Sequence, residues 1–441
     1  MSRENLSKGT KKVSRPLRVG ILGAGLVGAT AAIALSRLQD VKVTVFERSP
    51  GPRIAGAWIS LQVSGLIILD KLLELEQIQR ILYRGDNNGT YMVRHWRTGE
   101  VIAITPSSAH IADKFKQGRT HRVPLLDVLL SNVPRGAIQY SRNAVGHQVT
   151  EDGVHLIFDD SSSETFDLLV AADGLYSKIR RTYLPEEVRY RGSVAYRKVF
   201  PESQVLHIKG LPNDSSSWRK DGEVMFLSRL GLGQYGMVTI FKETPEFAAT
   251  LYWAKNTGSE GLSRLRERFA SWDPIIGQVL DTMQDVDAYP LDSAPWMKQL
   301  VRHDRIAFIG DAAHPTAGAY GAGATMGFGD AWALFRSLQE SNTPPSSNPV
   351  TSSQTSQSLY DVPRALRLYN ETRYHFLGRV EQQMQLDGLD AAYISEAAHD
   401  KAEWIRRFQE RHKNNTWLME HDVEAEFVKT LASEPLWAAK G

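Results

Sequence analysis

Cysteine is absent from the chain. Without it there is no disulfide, no thiolate metal ligand, no cysteine nucleophile and no flavin attached through sulfur. Long apolar runs are missing too, since no stretch reaches the roughly 20 residues that a helix needs to cross a bilayer. Lysine and arginine number 52 and aspartate and glutamate 50, so neither charge dominates. This balance gives no electrostatic reason to bind nucleic acid, and we expect a small-molecule partner.

The N-terminal segment, residues 1–16, is polar and basic and lacks the apolar core of a signal peptide. We interpret it as a disordered tail. A second segment, 341–358, is rich in Ser, Thr, Pro and Asn, which predicts a flexible surface loop. These features predict a cytoplasmic protein without a membrane anchor. They leave open whether it forms an oligomer.

A glycine-rich segment near the N-terminus has the spacing of a dinucleotide-binding loop. Gly23, Gly25 and Gly28 follow an apolar run and precede an alanine-rich stretch, as such a loop requires. The first glycine permits a tight turn, the second lets backbone amides approach a pyrophosphate, and the third allows helix and strand to pack closely. Glu47 ends the next apolar run, about 20 residues on, where a carboxylate accepts a ribose hydroxyl. The pattern predicts a bound dinucleotide with an unphosphorylated adenosine ribose.

The order of strand and helix patterns along the chain predicts an α/β fold with an inserted domain. Short strand patterns dominate between about residues 190 and 289, and an apolar run then leads into Gly310. We therefore expect a Rossmann-like nucleotide-binding domain, an inserted mixed-sheet substrate domain and C-terminal helices. The predicted units are 17–189 and 290–385 for the nucleotide-binding domain, 190–289 for the inserted domain and 386–441 for the helical region.

Three motifs in this order resemble those of the class A FAD-dependent aromatic hydroxylases, the family of 4-hydroxybenzoate and salicylate hydroxylases. They are the glycine loop, Asp173-Gly174 at the end of an apolar strand, and Gly310-Asp311 followed by His314-Pro315. The likeness covers about residues 17–427. It implies non-covalent FAD, NADPH or NADH as co-substrate, and a flavin C4a-hydroperoxide that transfers oxygen to an electron-rich aromatic ring.

The resemblance also implies which residues contact the cofactor. The glycine loop and Glu47 would bind the ADP half of FAD, and Asp311 the ribityl and pyrophosphate region. The helix that begins near Gly323 and Ala324 would face the flavin with its positive end. The residues predicted to bind FAD are Gly23, Gly25, Gly28, Glu47, Ser60, Arg122, Asp173, Gly310, Asp311, Gly323 and Ala324.

Arg197 and Tyr235, on neighbouring predicted strands, are the predicted catalytic residues. The guanidinium of Arg197 suits a carboxylate or a phenolate, and the hydroxyl of Tyr235 would complete the contact. His314 is interpreted as a structural part of its loop. The 12 histidines are scattered along the chain and predict no metal site.

The loop after His314-Pro315 departs from the family pattern, in which many relatives have a proline and then Gln-Gly-Ala-Asn. Gly318 and Ala322–Thr325 occupy these places. We expect such a smooth loop to accept a larger or less polar ring than salicylate, such as a polyketide phenol or an indole of specialised metabolism. Three other functions stay open. They are Baeyer–Villiger or epoxidising chemistry on the same fold, a non-catalytic binding protein of this fold, and a simple NAD-dependent dehydrogenase.

Overall fold

The computed structural model accounts for most of the predicted elements. Residues 1–14 of the predicted tail and 343–357 of the predicted loop lie outside the described residues. The described residues are 15–52, 58–105, 108–251, 255–342, 358–397, 400–412 and 415–438.

The strands of the described chain are β1 Leu17–Leu22, β2 Val41–Phe46, β3 Trp58–Leu61, β4 Tyr91–His95, β5 Val101–Thr105, β6 Gly118–His121, β7 Ile138–Gln139, β8 Ala144–Thr150, β9 Gly153–Phe158, β10 Ser163–Phe166, β11 Leu168–Ala171, β12 Arg189–Pro201, β13 Ser215–Lys220, β14 Glu223–Leu230, β15 Gln234–Lys242, β16 Lys255–Asn256, β17 Asp287–Ser293, β18 Val301–Arg302 and β19 Ile306–Phe308. The α-helices are α1 Leu26–Leu35, α2 Val63–Leu72, α3 Leu75–Gln79, α4 Arg122–Asn132, α5 Lys178–Tyr183, α6 Pro245–Ala249, α7 Gly258–Phe269, α8 Pro274–Asp281, α9 Gly323–Glu340, α10 Val362–Ser395, α11 Lys401–Arg411, α12 Thr416–Met419 and α13 Val423–Ala438. Short 3-10 turns cover Asp113–Phe115, Glu202–Gln204, Gly310–Ala312 and Ala319–Gly321.

The first sheet has the strand order β18-β19-β11-β1-β2-β7 and is parallel except for β18. Its central strands β1 and β11 are apolar and almost completely buried, as expected of a parallel sheet covered on both faces. The chain leaves this sheet after β11, returns to its edge at β18 and then forms β19, which pairs with β11. The carboxyl ends of β1, β2, β11 and β19 therefore meet at one edge, where parallel sheets bind ligands.

The second sheet has eight strands in the order β16-β17-β12-β15-β14-β13-β4-β5. Helices α7 and α8 pack on one face through a separate apolar core. Two of its strands, β4 and β5, come from residues 91–105, and β4 pairs with β13 in parallel. At the other edge β17 runs to Ser293, four residues beyond the predicted end of the inserted domain. The sheet of the predicted inserted domain is therefore completed by a segment of the first nucleotide-binding part.

The C-terminal region is helical, but its longest helix starts before the predicted boundary. Helix α10 spans 34 residues and runs unbroken through positions 385 and 386. Its first half packs against α9, because that half buries residues such as Leu366 and Tyr369. Helix α11 covers β4 and β5 through Trp404 and Phe408. In the described ranges, no helix is both long and apolar enough to span a membrane.

Candidate active site

A cavity of about 1900 Å³ lies between the binding edge of the first sheet and the open face of the second. Ten of the residues predicted from the sequence line it, while Gly28, Gly310 and Tyr235 do not. The ten are Gly23, Gly25, Glu47, Ser60, Arg122, Asp173, Arg197, Asp311, Gly323 and Ala324.

The glycine loop connects β1 to α1, and its three glycines have different surroundings. Gly23 has a φ of +103°, and a Cβ there would lie 2.5 Å from the carbonyl oxygen of Ala172. A Cβ on Gly28 would lie 1.9 Å from the carbonyl oxygen of Gly23, so only glycine fits. Gly25, by contrast, faces the cavity, and apart from its chain neighbours no atom of the described residues lies within 4 Å of its Cβ position. The loop is closed on the protein side and open where a pyrophosphate would bind at the start of α1.

Glu47 follows β2 and its carboxylate is fixed by backbone amides. Ala24 N–H donates to Oε2 at 3.0 Å and Ser49 N–H donates to Oε1 at 2.9 Å. Each carboxylate oxygen has a further lone pair for a hydroxyl donor. The side chain lines the cavity beside the glycine loop, which suits a ribose.

Two further aspartates face the cavity from the ends of β11 and β19. Asp173 Oδ2 accepts a hydrogen bond from Lys178 N–H, whereas its Oδ1 is buried with no partner among the described residues. Burial raises the pKa of Asp311, although the positive charge of Arg180 acts to lower it. A Cβ on Gly323 would lie 3.7 Å from Asp311 Oδ1, so the start of α9 is next to this carboxylate. The orphaned Asp173 oxygen and the open space at Gly25 fit a bound dinucleotide.

A buried ionic network lies behind Asp311 and was missed in the sequence. Asp330 on α9 accepts from Gly310 N–H at 2.8 Å, His314 Nε2 at 2.6 Å and Arg373 Nε at 2.8 Å. Burial acts to raise the pKa of Asp330, but His314 and Arg373 outweigh it and lower it to about 2. The network fixes the turn that carries Asp311. An aspartate within an otherwise apolar helix was the signal that could have identified it.

The loop from Pro315 to Ala322 has several residues with positive φ, among them the non-glycine Tyr320 at +56°. Such a conformation costs about 1 kcal/mol or more for a side chain of this size. The Tyr320 hydroxyl donates to Asp387 Oδ2 on α10 at 2.5 Å, and its carbonyl oxygen accepts from Gln62 Nε2 at 3.0 Å. These bonds hold in place a loop that lacks the family's proline.

The open face of the second sheet carries Arg197 near one edge. Its guanidinium carbon lies 3.5 Å from the centre of the Tyr289 ring, and its Nε is buried with no partner among the described residues. Burial lowers the pKa of Arg197, and the positive charge of Arg122 contributes. Arg122 at the start of α4 therefore lies close to it. Ser60 on β3 is adjacent to the strained loop, since a Cβ on Gly321 would lie 3.5 Å from its Cβ.

The expected catalytic contact of Tyr235 is not supported by its position. Arg197 pairs with Val238 across β12 and β15, so these two side chains point to the same face, whereas Tyr235 is an odd number of residues away. Its ring is fully buried on the other face, 5.7 Å from the ring of Phe200. The pleat of the strand thus separates Tyr235 from the cavity and from Arg197.

The site contains acidic, basic and hydroxyl side chains but no metal-binding arrangement. Among the residues that the structure describes, no three His, Asp or Glu side chains are grouped so that they could hold a metal ion. The glycine loop, Glu47, Asp173 and Asp311 form a cradle of the kind that FAD requires.

Comparison with known proteins agrees with this geometry. The profile of the family described as FAD binding domain matches residues 17–344. The chain is 26% identical over 420 residues to 6-hydroxynicotinate 3-monooxygenase of Bordetella bronchiseptica, covering 93% of this chain and 96% of that protein. It is 29% identical over 332 residues to 3-amino-4-hydroxybenzoate 2-monooxygenase of Streptomyces cremeus, covering 74% and 79%.

The fold is similar to that of a salicylate hydroxylase solved as a substrate complex, with a TM-score of 0.75 and 22% identity. The match covers 94% of this chain and 98% of that one. The predicted fold class, the FAD cofactor and the resemblance to aromatic hydroxylases are thereby confirmed. The chain belongs to the FAD binding domain family, as an FAD-dependent monooxygenase of the class A aromatic hydroxylase type.

Proposed function

We propose that this enzyme uses NADPH or NADH and dioxygen to hydroxylate an electron-rich aromatic ring held between Arg197 and the loop of residues 315–322. The observation that carries the proposal is the shared cavity. It is lined at once by the cofactor cradle, with Asp311 and Gly323, and by the open sheet face with Arg197. The relatives named above act, by their names, on a hydroxylated pyridine and an aminohydroxybenzoate, which supports a phenolic or similar ring.

In this proposal the first sheet holds FAD and the second sheet binds the substrate. Residues 17–189, apart from 91–105, and residues 294–385 would form the FAD-binding part, and 190–293 with 91–105 would form the substrate-binding sheet. Glu47 would bind the adenosine ribose and Asp311 the chain between phosphates and flavin. Bound FAD supplies the activation of dioxygen that none of the side chains can perform.

The side chains contribute orientation and electrostatics. Arg197 would bind an oxygen anion of the ring, since its Nε lacks a partner among the described residues and its guanidinium is stacked on Tyr289. A phenolate held in this way is a better nucleophile than the phenol, which favours attack by the ring. The first turn of α9, at Gly323 and Ala324, directs its amides into the cavity and can stabilise negative charge beside it.

Substrate-stimulated NAD(P)H oxidation, with products identified by mass, tests the proposal. We expect the purified protein to be yellow and to add one oxygen atom to a ring carbon of a phenol or indole. Insertion of oxygen next to a ketone would identify Baeyer–Villiger chemistry instead. A protein that binds FAD but oxidises NAD(P)H with none of the phenols, indoles or ketones would be a binding protein.

The role of Arg197 is tested by comparing a variant of Arg197 with a variant of Tyr235. Arg197→Ala is expected to lower kcat/KM at least 100-fold with unchanged flavin content, because the ring anion loses its partner. Tyr235→Phe should leave kcat/KM within about twofold, since its hydroxyl is buried outside the cavity without a described partner. Equal losses in the two variants would contradict this assignment.

A further inference from the structure

The floor of the cavity beside Arg197 is an apolar patch that belongs to no core of the protein. Val238 and Ile240 on β15 pair with Phe226 and Val224 on β14, so these four side chains share one face of the sheet. All four line the cavity. Within the described chain they are half-buried and belong to none of the three apolar clusters. We call these four residues the apolar floor.

The apolar floor extends away from Arg197 along the strands. Arg197 is paired with Val238, whereas Ile240 is paired with Ala195, two residues earlier on β12. Two residues of an antiparallel strand span about 7 Å. A ring held by Arg197 would therefore lie over Val238 and Phe226. The other half of the floor remains free for a group that is attached to this ring.

The second half of α10 gives the same cavity an apolar wall. Met384, Ala391 and Ile394 line the cavity and lie on one side of the helix, at positions i, i+7 and i+10. Asp387 bonds to the strained loop, and Ile394 packs against the apolar cluster that contains Trp404 of α11. Ten residues of helix span about 15 Å, so the wall reaches from that loop to α11. We call Met384, Ala391 and Ile394 the α10 wall.

Aromatic rings of α11 lie where the floor and the wall meet. The indole N–H of Trp404 donates to Asp221 Oδ1 at 2.9 Å, in the turn that leads into β14 and Val224. The ring of Phe408 stacks on that of Trp404, with 5.4 Å between the ring centres. Both rings line the cavity and are otherwise buried. The floor therefore leads toward more apolar surface.

The volume of the cavity exceeds what FAD and one aromatic ring require. Pockets for a small ligand have about 300–1,000 Å³, and this cavity has about 1900 Å³. If FAD takes a volume at the upper end of that range, roughly 900 Å³ remains for the substrate. A ligand that covers the floor and the wall removes their apolar surface from water, which favours binding.

We propose that the apolar floor and the α10 wall form a subsite for an apolar substituent of the substrate, either an alkyl chain or a further ring. This inference rests on the proposed function and specifies the size and polarity of the aromatic compound. The reacting ring lies beside Arg197, and its substituent lies over Ile240 and Val224, against the α10 wall. Val224 and Ala391 are then specificity-determining residues.

The experiment measures how affinity depends on the substituent of a phenol. Dissociation constants of 4-methylphenol, 4-propylphenol, 4-pentylphenol and 4-phenylphenol are obtained for the holoenzyme from the change in flavin absorbance, without NAD(P)H. Burial of one CH₂ group raises affinity about fourfold. We expect 4-pentylphenol to bind at least about 30-fold more tightly than 4-methylphenol, since part of the chain can remain in water. A gain for 4-phenylphenol alone supports a subsite for a flat ring.

Ala391→Trp fills the subsite, and Ala392→Trp is its matched control. Ala392 is the next residue of α10, is exposed and does not line the cavity. Ala391→Trp should reduce the ratio of the 4-methylphenol to the 4-pentylphenol dissociation constant at least tenfold, whereas Ala392→Trp should leave this ratio unchanged. Val224→Thr exchanges a methyl group for a hydroxyl of similar shape and should reduce the ratio several-fold.

A reduced ratio in Ala391→Trp or Val224→Thr, with no change in Ala392→Trp, supports the proposal. An unchanged ratio in both variants overturns it, as does the absence of any gain for the larger phenols in the wild type. If Ala391→Trp fails to retain FAD, Val224→Thr decides the question. Failure of the proposed function looks different, because then none of these phenols stimulates NAD(P)H oxidation, whatever their dissociation constants are.

Discussion

The two ends of the proposed FAD cradle, the adenosine end at the glycine loop and the flavin end at Gly310 and Tyr320, are built in different ways. At the adenosine end, the loop from Gly23 to Gly28 is shaped by backbone packed on backbone, so tightly that a Cβ on Gly28 would lie 1.9 Å from a carbonyl oxygen. At the flavin end, the turn at Gly310 and the strained loop with Tyr320 are held by side chains that come from α9 and α10. One end depends on the absence of side chains, and the other on their presence.

This difference indicates which kind of substitution destabilises each end most. A packed backbone loop fails when any atom is added, whereas a loop held by side-chain bonds fails when a bond is removed. The adenosine end is local in sequence. At the flavin end the loop of residues 310–324 bonds to Gln62 and Asp387, and through Asp330 it is linked to Arg373. Each of the following variants tests one side of this contrast.

Asp330→Asn is expected to have the largest effect, because it removes a buried charge that Arg373 and His314 both contact. Breaking a buried ionic network in this way costs about 3–5 kcal/mol of unfolding free energy. Urea unfolding of the FAD-free protein measures it. Asp311→Asn is the control. It should weaken FAD binding but leave the apoprotein at least as stable, since burial already disfavours the charged form of Asp311.

The same network makes the free energy of unfolding depend on pH in the acidic range. The pKa of Asp330 in the folded protein is about 2, below its ordinary value of 3.8. Its contribution is therefore complete above about pH 4 and is lost as the pH falls through about 2. The wild type should lose stability over that range by more than Asp330→Asn does. Parallel pH profiles for the two proteins would contradict the assigned role.

Gly28→Ala is expected to cause the second largest loss of stability, and this loss arises at the adenosine end. The added methyl group has to displace the Gly23 carbonyl, and overpacking of this kind costs about 1–3 kcal/mol. Gly25→Ala provides the matched comparison, because in the described part of the chain its Cβ position has no atom within 4 Å beyond its own chain neighbours. It should leave the thermal unfolding midpoint of the apoprotein unchanged and yet weaken FAD binding tenfold or more. If both variants destabilise the apoprotein equally, Gly25 does not face the cofactor.

Tyr320→Phe is expected to be the mildest of the three. It deletes one hydrogen bond to Asp387 and should cost about 1 kcal/mol of stability. The more specific effect is on coupling, since a loosened loop beside the flavin admits water. We expect a larger share of oxidised NAD(P)H to yield hydrogen peroxide instead of product. Tyr374→Phe is the control, because Tyr374 is exposed on α10, the helix that carries Asp387. It should leave the share of hydrogen peroxide unchanged.

The adenosine end could be predicted from the sequence because its signals are local. The glycine spacing, the apolar strand before it and Glu47 after the next strand are all within about 30 residues, and each has one physical task. Gly310-Asp311 was also found, because a short apolar strand leads into it. Such patterns are set by backbone geometry, which sequence spacing reports directly.

The flavin end and the substrate face could not be predicted in the same way. Asp330 pairs with Arg373 from a helix 43 residues on, and no local pattern announces such a pair. Tyr235 was assigned to the cavity because it follows Arg197 on a neighbouring strand, but its face depends on the register between β12 and β15, which are separated along the chain by β13 and β14. The assignment of Tyr235 needed one more fact, the pairing of Arg197 with Val238.

The parallel pairing of β4 with β13 limits which segments of this protein can be exchanged by recombination or engineering. Residues 190–293 expressed alone would leave the edge of β13 without its partner, and an open strand edge invites association between copies. A recombination event that exchanged only the later segment would separate the two strands. Exchanging the substrate-binding sheet between related enzymes therefore requires residues 91–105 to be moved together with 190–293. Only then do β4 and β13 come from the same parent protein.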